Sequence, residues 1–166
     1  IPLLRDLGLR ADWKIIFGDE QFFGITKSFH NALQGDGFTL TDEVKEVYLA
    51  NNIKNAELLE AQYDYIVVHD PQPLALRHFK GRNNSKWIWR CHIDTSEPNT
   101  GLWDFLEPFA DEYDAAIFTL DKFVPPTLKV PIISSIPPSI DPLSPKNMVI
   151  PASLARKVTT WAGVDI

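Results

Sequence analysis

The chain has 166 residues, a net charge of −6 and 45% hydrophobic content, which suits one globular domain with room for a buried core. The acidic balance excludes a nucleic-acid surface, which needs clustered Lys and Arg, and no apolar run reaches the roughly 18 residues of a membrane span. A lone cysteine, Cys91, leaves no internal disulfide framework and fits a reducing, cytoplasmic setting.

In chain order, residues 1–8 read as the last turns of an amphipathic helix closed by Gly8. Residues 11–17 (Ala-Asp-Trp-Lys-Ile-Ile-Phe) read as a strand. Phe22, Ile25, Phe29 and Leu33 recur at three to four residues and predict a helix over 21–33, stopped by Gly35-Asp36-Gly37. Thr41, followed by Asp42 and Glu43, is the N-cap expected of a long helix running to residue 62. A strand over 64–68 and a short helix over 72–79 follow. A strand is expected over 86–91 and a helix over 100–113, bent at Pro108. Strands over 115–120 and 130–134 come next. Thirteen prolines, several of them clustered after residue 124, make the last third loop-rich. A short helix over 153–161 places Leu154, Val158 and Trp161 on one face. Strands alternating with helices imply βαβ crossovers and a parallel sheet. A helix at the very first residue further suggests that a strand and loop precede it, so the chain reads as a fragment of a larger enzyme.

Two segments carry the chemistry. Val67-Val68-His69-Asp70-Pro71-Gln72-Pro73 and Trp87-Ile88-Trp89-Arg90-Cys91-His92-Ile93-Asp94 are both apolar runs that end in His and Asp. Such runs read as buried strands, and polar residues at their carboxyl ends lie where open parallel sheets bind ligands. Three uses of these side chains stay open. A metal needs ligands at compact spacing, which His69, Asp70, His92 and Asp94 do not show, so no metal is expected. Asp70 and Asp94 each precede a predicted helix or turn and suit helix N-caps. Carboxylates and imidazoles at a strand edge also supply the acceptors and donors that sugar hydroxyls need.

A second constellation is Phe29-His30-Asn31-Ala32-Leu33-Gln34-Gly35, where His30, Asn31 and Gln34 fall within one helical turn. A solvated helix face explains it equally well. Trp87, Trp89, Trp103 and Trp161 read as core aromatics, although the alternation of Ile88, Trp89 and Arg90 lets one of these faces line a pocket. No Gly-x-Ser-x-Gly elbow, P-loop or Gly-x-Gly-x-x-Gly run is present, so neither a serine nucleophile nor phosphate cradling by this chain is expected.

Together with Pro137-Pro138-Ser139-Ile140-Asp141-Pro142-Leu143-Ser144, these motifs resemble the trehalose-forming glycosyltransferases. These are the trehalose glycosyltransferring synthases, and the related retaining trehalose phosphorylases share much of the pattern. The resemblance spans about residues 1–146, in order and spacing. It implies an α/β fold with a Rossmann-like parallel sheet, as the incomplete N-terminal domain of a two-domain GT-B glycosyltransferase. Residues 1–146 would form the acceptor-side domain without its first strand, and residues 147–166 the start of the interdomain linker. The implied reaction is retaining transfer of glucose from a nucleotide sugar to glucose. His69 would stand beside the anomeric carbon as the catalytic residue. Asp70, Gln72, Arg90, His92 and Asp94, helped by Asn31 and Gln34, would orient the acceptor. The nucleotide sugar is a co-substrate; no cofactor or metal is implied. A complementary C-terminal domain would supply the phosphate donors, leaving the isolated chain inactive, and a homodimer stays open. Trehalose phosphorylase and a non-catalytic sugar-binding or interaction fragment remain the alternatives.

Overall fold

The computed structural model describes residues 1–60, 62–81, 83–139, 147 and 149–163. Residues 140–144 of the fourth motif, the expected domain boundary at 146, and 164–166 lie outside the described residues. The chain runs α1 (Pro2–Asp6), α2 (Glu20–Leu33), α3 (Asp42–Leu58), β1 (Tyr65–His69), α4 (Leu76–Lys80), β2 (Lys86–Arg90), α5 (Thr100–Ala110), β3 (Ala115–Phe118), a 3₁₀ turn (Asp121–Phe123), β4 (Ile133–Ser135) and α6 (Ala152–Trp161). All four strands are parallel and lie in sequence order, β1-β2-β3-β4. The chain is therefore α/β with a Rossmann-like parallel sheet.

Helix starts follow side-chain capping. Asp19 accepts the Phe22 N–H at 2.8 Å and opens α2, two residues before the hydrophobic period begins. Thr41 caps α3 as expected, by accepting the Val44 N–H. Asn99 caps α5 through the Leu102 N–H at 3.1 Å. The α3 helix stops at Leu58, short of residue 62, because Leu59 is already extended. The helix expected over 72–79 is halved. Residues 71–75 form turns, and α4 occupies Leu76–Lys80. The Pro71 and Pro73 carbonyls accept from the Leu74 and Leu76 N–H groups, three residues on, as tight turns do.

Side chains alternate across the sheet, and one face makes the core. Val68, Trp87, Trp89, Ala116 and Phe118 are at most 5% exposed and pack with Phe22, Phe29, Tyr48 and Leu106 from the helices. Trp89 lies at the centre, stacked on Trp103 and edge-on to Phe118 at 5.6 Å. Residues on the opposite face are barer: Tyr65 and Val67 of β1 are 68% and 47% exposed. Trp161, read as a core aromatic, lies on the surface with Leu154 and Val158 exposed beside it.

The strand expected over 11–17 is not formed. The segment is irregular, and a ladder partner is replaced by the Asn55 amide. Asn55 Nδ2 donates to the Phe17 carbonyl and its Oδ1 accepts the Phe17 N–H, both at 2.8 Å. Trp13, Ile15 and Phe17 point to solvent while Ile16 packs on the core. The segment is held by side chains and not by a neighbouring strand: Asn55 at Phe17, Arg5 at Ala11 and Tyr63 at Asp12. Phe17 bonding to an amide satisfies the same backbone groups a neighbouring strand would.

Candidate active site

The parallel register sets His69 of β1 beside Arg90 of β2. Both strands end there, and the chain turns sharply. Asp70 adopts φ +64°, the left-handed region that Asp tolerates better than most residues. Four bonds hold it in that conformation. Its N–H donates to the Arg90 carbonyl at 2.9 Å, and its carbonyl accepts the indole N–H of buried Trp89 at 3.1 Å. Its Oδ1 accepts both the backbone N–H of His92, at 3.0 Å, and His92 Nδ1, at 3.1 Å. The core tryptophan thus fixes the turn, and the turn fixes the histidine.

A carboxylate only accepts, so in this contact His92 Nδ1 carries a proton and donates. The His69 and His92 rings lie face to face, 5.3 Å apart and 11° from parallel. Burial depresses the His69 pKa below its ordinary value of 6.5, the His92 ring and Arg90 add to the effect, and Asp70 opposes it. His69 is therefore a neutral imidazole at pH 7. Both rings keep partial access to solvent.

Arg90 lies behind this pair, 8% exposed. Its Nη2 donates to the Ile136 carbonyl at 2.8 Å, which ties the chain leaving β4 to the histidines. Its Nη1 is buried without a hydrogen-bond partner. Cys91 points into the core, where burial pushes its thiol up to about 12 and removes it from nucleophilic chemistry. The remaining expected residues make their contacts elsewhere. Asp94 Oδ1 accepts the Ser96 N–H at 3.1 Å and hydroxyl at 2.7 Å, closing a local turn. Asn99, not Asp94, caps α5. Gln72 is half-buried in the turn after β1, and its carbonyl accepts from Asn52 Nδ2 at 3.1 Å. Asn31 and Gln34 are exposed at the end of α2. That end is tied to the loop after β2, since the Asn99 N–H donates to the Ala32 carbonyl at 2.8 Å.

Among the described residues, no three His, Cys, Asp or Glu side chains gather as ligands of one metal ion, and no helix is long and apolar enough to cross a membrane. Trp13 is the residue that pattern reading did not place in the site. Its indole lies 5.5 Å from the His69 ring. The seven-residue run that holds it reads as a strand, and nothing in a strand pattern places Trp13 beside His69.

The comparisons with known proteins bear on this geometry. Residues 1–125 match the family described as "Trehalose synthase, N-terminal domain". The chain belongs to this family. The match takes in β1, β2 and the whole His69–Asp70–His92 cluster. Among curated relatives, a protein of Rubrobacter xylanophilus named trehalose synthase is 45% identical over 171 residues, covering 100% of this chain and 41% of the relative. Proteins of the same name from Thermococcus litoralis and Pyrococcus horikoshii are 47% and 49% identical, each over 99% of this chain and 40% of the relative. This trehalose synthase N-terminal domain thus spans about two-fifths of the length of those proteins.

Proposed function

We propose that this chain is the acceptor-side part of a retaining GT-B glycosyltransferase that forms trehalose from nucleotide-activated glucose and glucose. The observation that carries the reading is the His69–Asp70–His92 cluster at the carboxyl edge of a parallel sheet, in a chain belonging to the trehalose synthase N-terminal domain family. A retaining glucosyl transfer passes through an oxocarbenium-like state as the leaving group departs. Neutral His69 suits a place beside that cationic carbon, because an imidazolium would repel it. Asp70, Gln72, His92 and Asp94, with Asn31 and Gln34 at the end of α2, orient the acceptor glucose. Arg90 contributes from behind, by holding the Ile136 carbonyl. Residues 1–146 form the acceptor side, and 147–166 lead toward a complementary domain. That domain holds the leaving nucleotide and donates to its phosphates, a role for which each donor is worth on the order of 10²–10³ in rate. No cofactor enters the scheme.

The test is a chimera in which this chain replaces the matching segment of the Rubrobacter xylanophilus relative. It should form trehalose from glucose and a nucleotide-activated glucose, whereas the 166-residue chain alone should not. With glucose varied at fixed donor, His69→Ala should lower kcat more than it raises KM, and Asp70→Ala should chiefly raise KM. A folded chimera without activity, or one indifferent to His69→Ala, would overturn the assignment.

A further inference from the structure

We propose that Trp13 is the stacking platform of this site: its indole receives the apolar C–H face of a hexopyranose whose hydroxyls reach His69 and His92. The proposal rests on the sugar-transfer reading above and adds to it a residue that no motif marks. Trp13, His69 and His92 form a row of rings, with 5.5 Å between the first two centroids and 5.3 Å between the last two. Trp87, Trp89 and Trp103 are at most 5% exposed, but Trp13 is 61% exposed. Exposure alone marks nothing, since Trp161 is 90% exposed. What distinguishes Trp13 is that its open ring borders the depressed-pKa imidazole and the Asp70-held His92.

The backbone that carries the indole is also held in place. The segment has no regular secondary structure, yet it is pinned on both sides of Trp13. Arg5 Nε donates to the Ala11 carbonyl at 2.8 Å, and the Tyr63 hydroxyl donates to Asp12 Oδ2 at 3.1 Å. Four residues further on, Asn55 grips both backbone groups of Phe17. A ring carried on a segment already held loses less freedom on binding than one on a loose chain. The chemistry is complementary. A glucopyranose with equatorial hydroxyls presents a flat C–H face, which an aromatic face removes from water. Its rim of hydroxyls then needs acceptors and donors, which the imidazole nitrogens and the Asp70 carboxylate supply.

The test is an NMR titration of the 166-residue chain with D-glucose, and with sorbitol, which carries hydroxyls but no ring. The Trp13 indole signal is identified by its loss in Trp13→Phe, and the imidazole signals by His69→Gln and His92→Gln. Glucose should shift the Trp13 indole and both imidazoles with one dissociation constant, and sorbitol should not. Trp13→Ala should weaken glucose roughly five- to tenfold, and Trp13→Phe by less than about threefold. The wild-type titration needs no variant, so a misfolded Trp13→Ala would not decide the matter. If glucose moves the imidazoles but not Trp13, or if folded Trp13→Ala binds it like the wild type, the platform falls and the sugar site stands. If sorbitol shifts Trp13 as glucose does, the platform falls too. If glucose moves none of the three rings, both readings fall.

Discussion

Replacing Asp70 separates what its backbone costs from what its carboxylate contributes. The residue sits at φ +64°. An ordinary L-residue there is destabilised by about 1–2 kcal/mol, glycine is not, and Asn is tolerated much as Asp is. The carboxylate accepts from the His92 backbone N–H and from its ring. Net hydrogen-bond contributions are about 0.5–1.5 kcal/mol each. With the Asp70 and His92 side chains 32% and 44% exposed, the ring contact belongs at the low end of that range. Asp70→Gly should therefore lose about 1–2 kcal/mol, and Asp70→Ala about 2–3 kcal/mol, because it adds the left-handed strain. Asp70→Asn keeps an acceptor and the conformation, and should lose less than about 1 kcal/mol. Urea unfolding monitored by tryptophan fluorescence, with unchanged m-values, measures all three. The expected order of stability is wild type, Asn, Gly, Ala. Alanine matching glycine would show that the turn relaxes out of the left-handed region, and the account of how His92 is aimed would be wrong.

Two further outcomes follow from the same geometry. His69 has a depressed pKa in the folded chain, so between that value and the ordinary 6.5 the unfolded chain binds a proton that the folded chain does not. Stability should fall as pH drops below 6.5, and His69→Gln should flatten that part of a Tm-versus-pH curve between pH 7 and 5; an unchanged slope would contradict the burial of the imidazole. Asn55→Ala leaves the Phe17 N–H and carbonyl without their partner and should cost about 2 kcal/mol, with faster proteolytic cutting at residues 9–18. Cleavage at the wild-type rate would show that the Arg5–Ala11 and Tyr63–Asp12 contacts hold the segment without Asn55.

Local chemistry made much of the fold legible. The period of Phe22, Phe29 and Leu33 and the capping power of Thr41 act within a few residues, so α2 and α3 could be read directly. Apolar runs bounded by polar residues marked β1, β2 and β3 to within one or two positions. The failures are tertiary. Residues 11–17 read as a strand, but a strand exists only if a neighbour supplies the ladder, and here Asn55, nearly forty residues away, bonds Phe17 instead. Trp161 is the residue type expected in a core, yet it is 90% exposed, since none of the described elements packs over it.

The candidate site divides in the same way. That His69, Asp70 and His92 stand at the ends of strands follows from the sequence, because apolar runs that stop at polar residues mark them. The expected burial of β1 on both faces does not hold, since Tyr65 and Val67 are exposed. How the three site residues relate to one another does not follow from the sequence. The one-to-one parallel register puts His69 level with Arg90, a left-handed residue turns a carboxylate onto a histidine two residues past the neighbouring strand, and the indole of Trp89 holds that turn from the core. Trp13 reaches His69 across more than fifty residues of chain. Sequence pattern reports which face a side chain takes, whereas distance between elements is set by packing. The strand ends were therefore readable in advance, and the stacked imidazoles and the indole beside them belong to the tertiary structure alone.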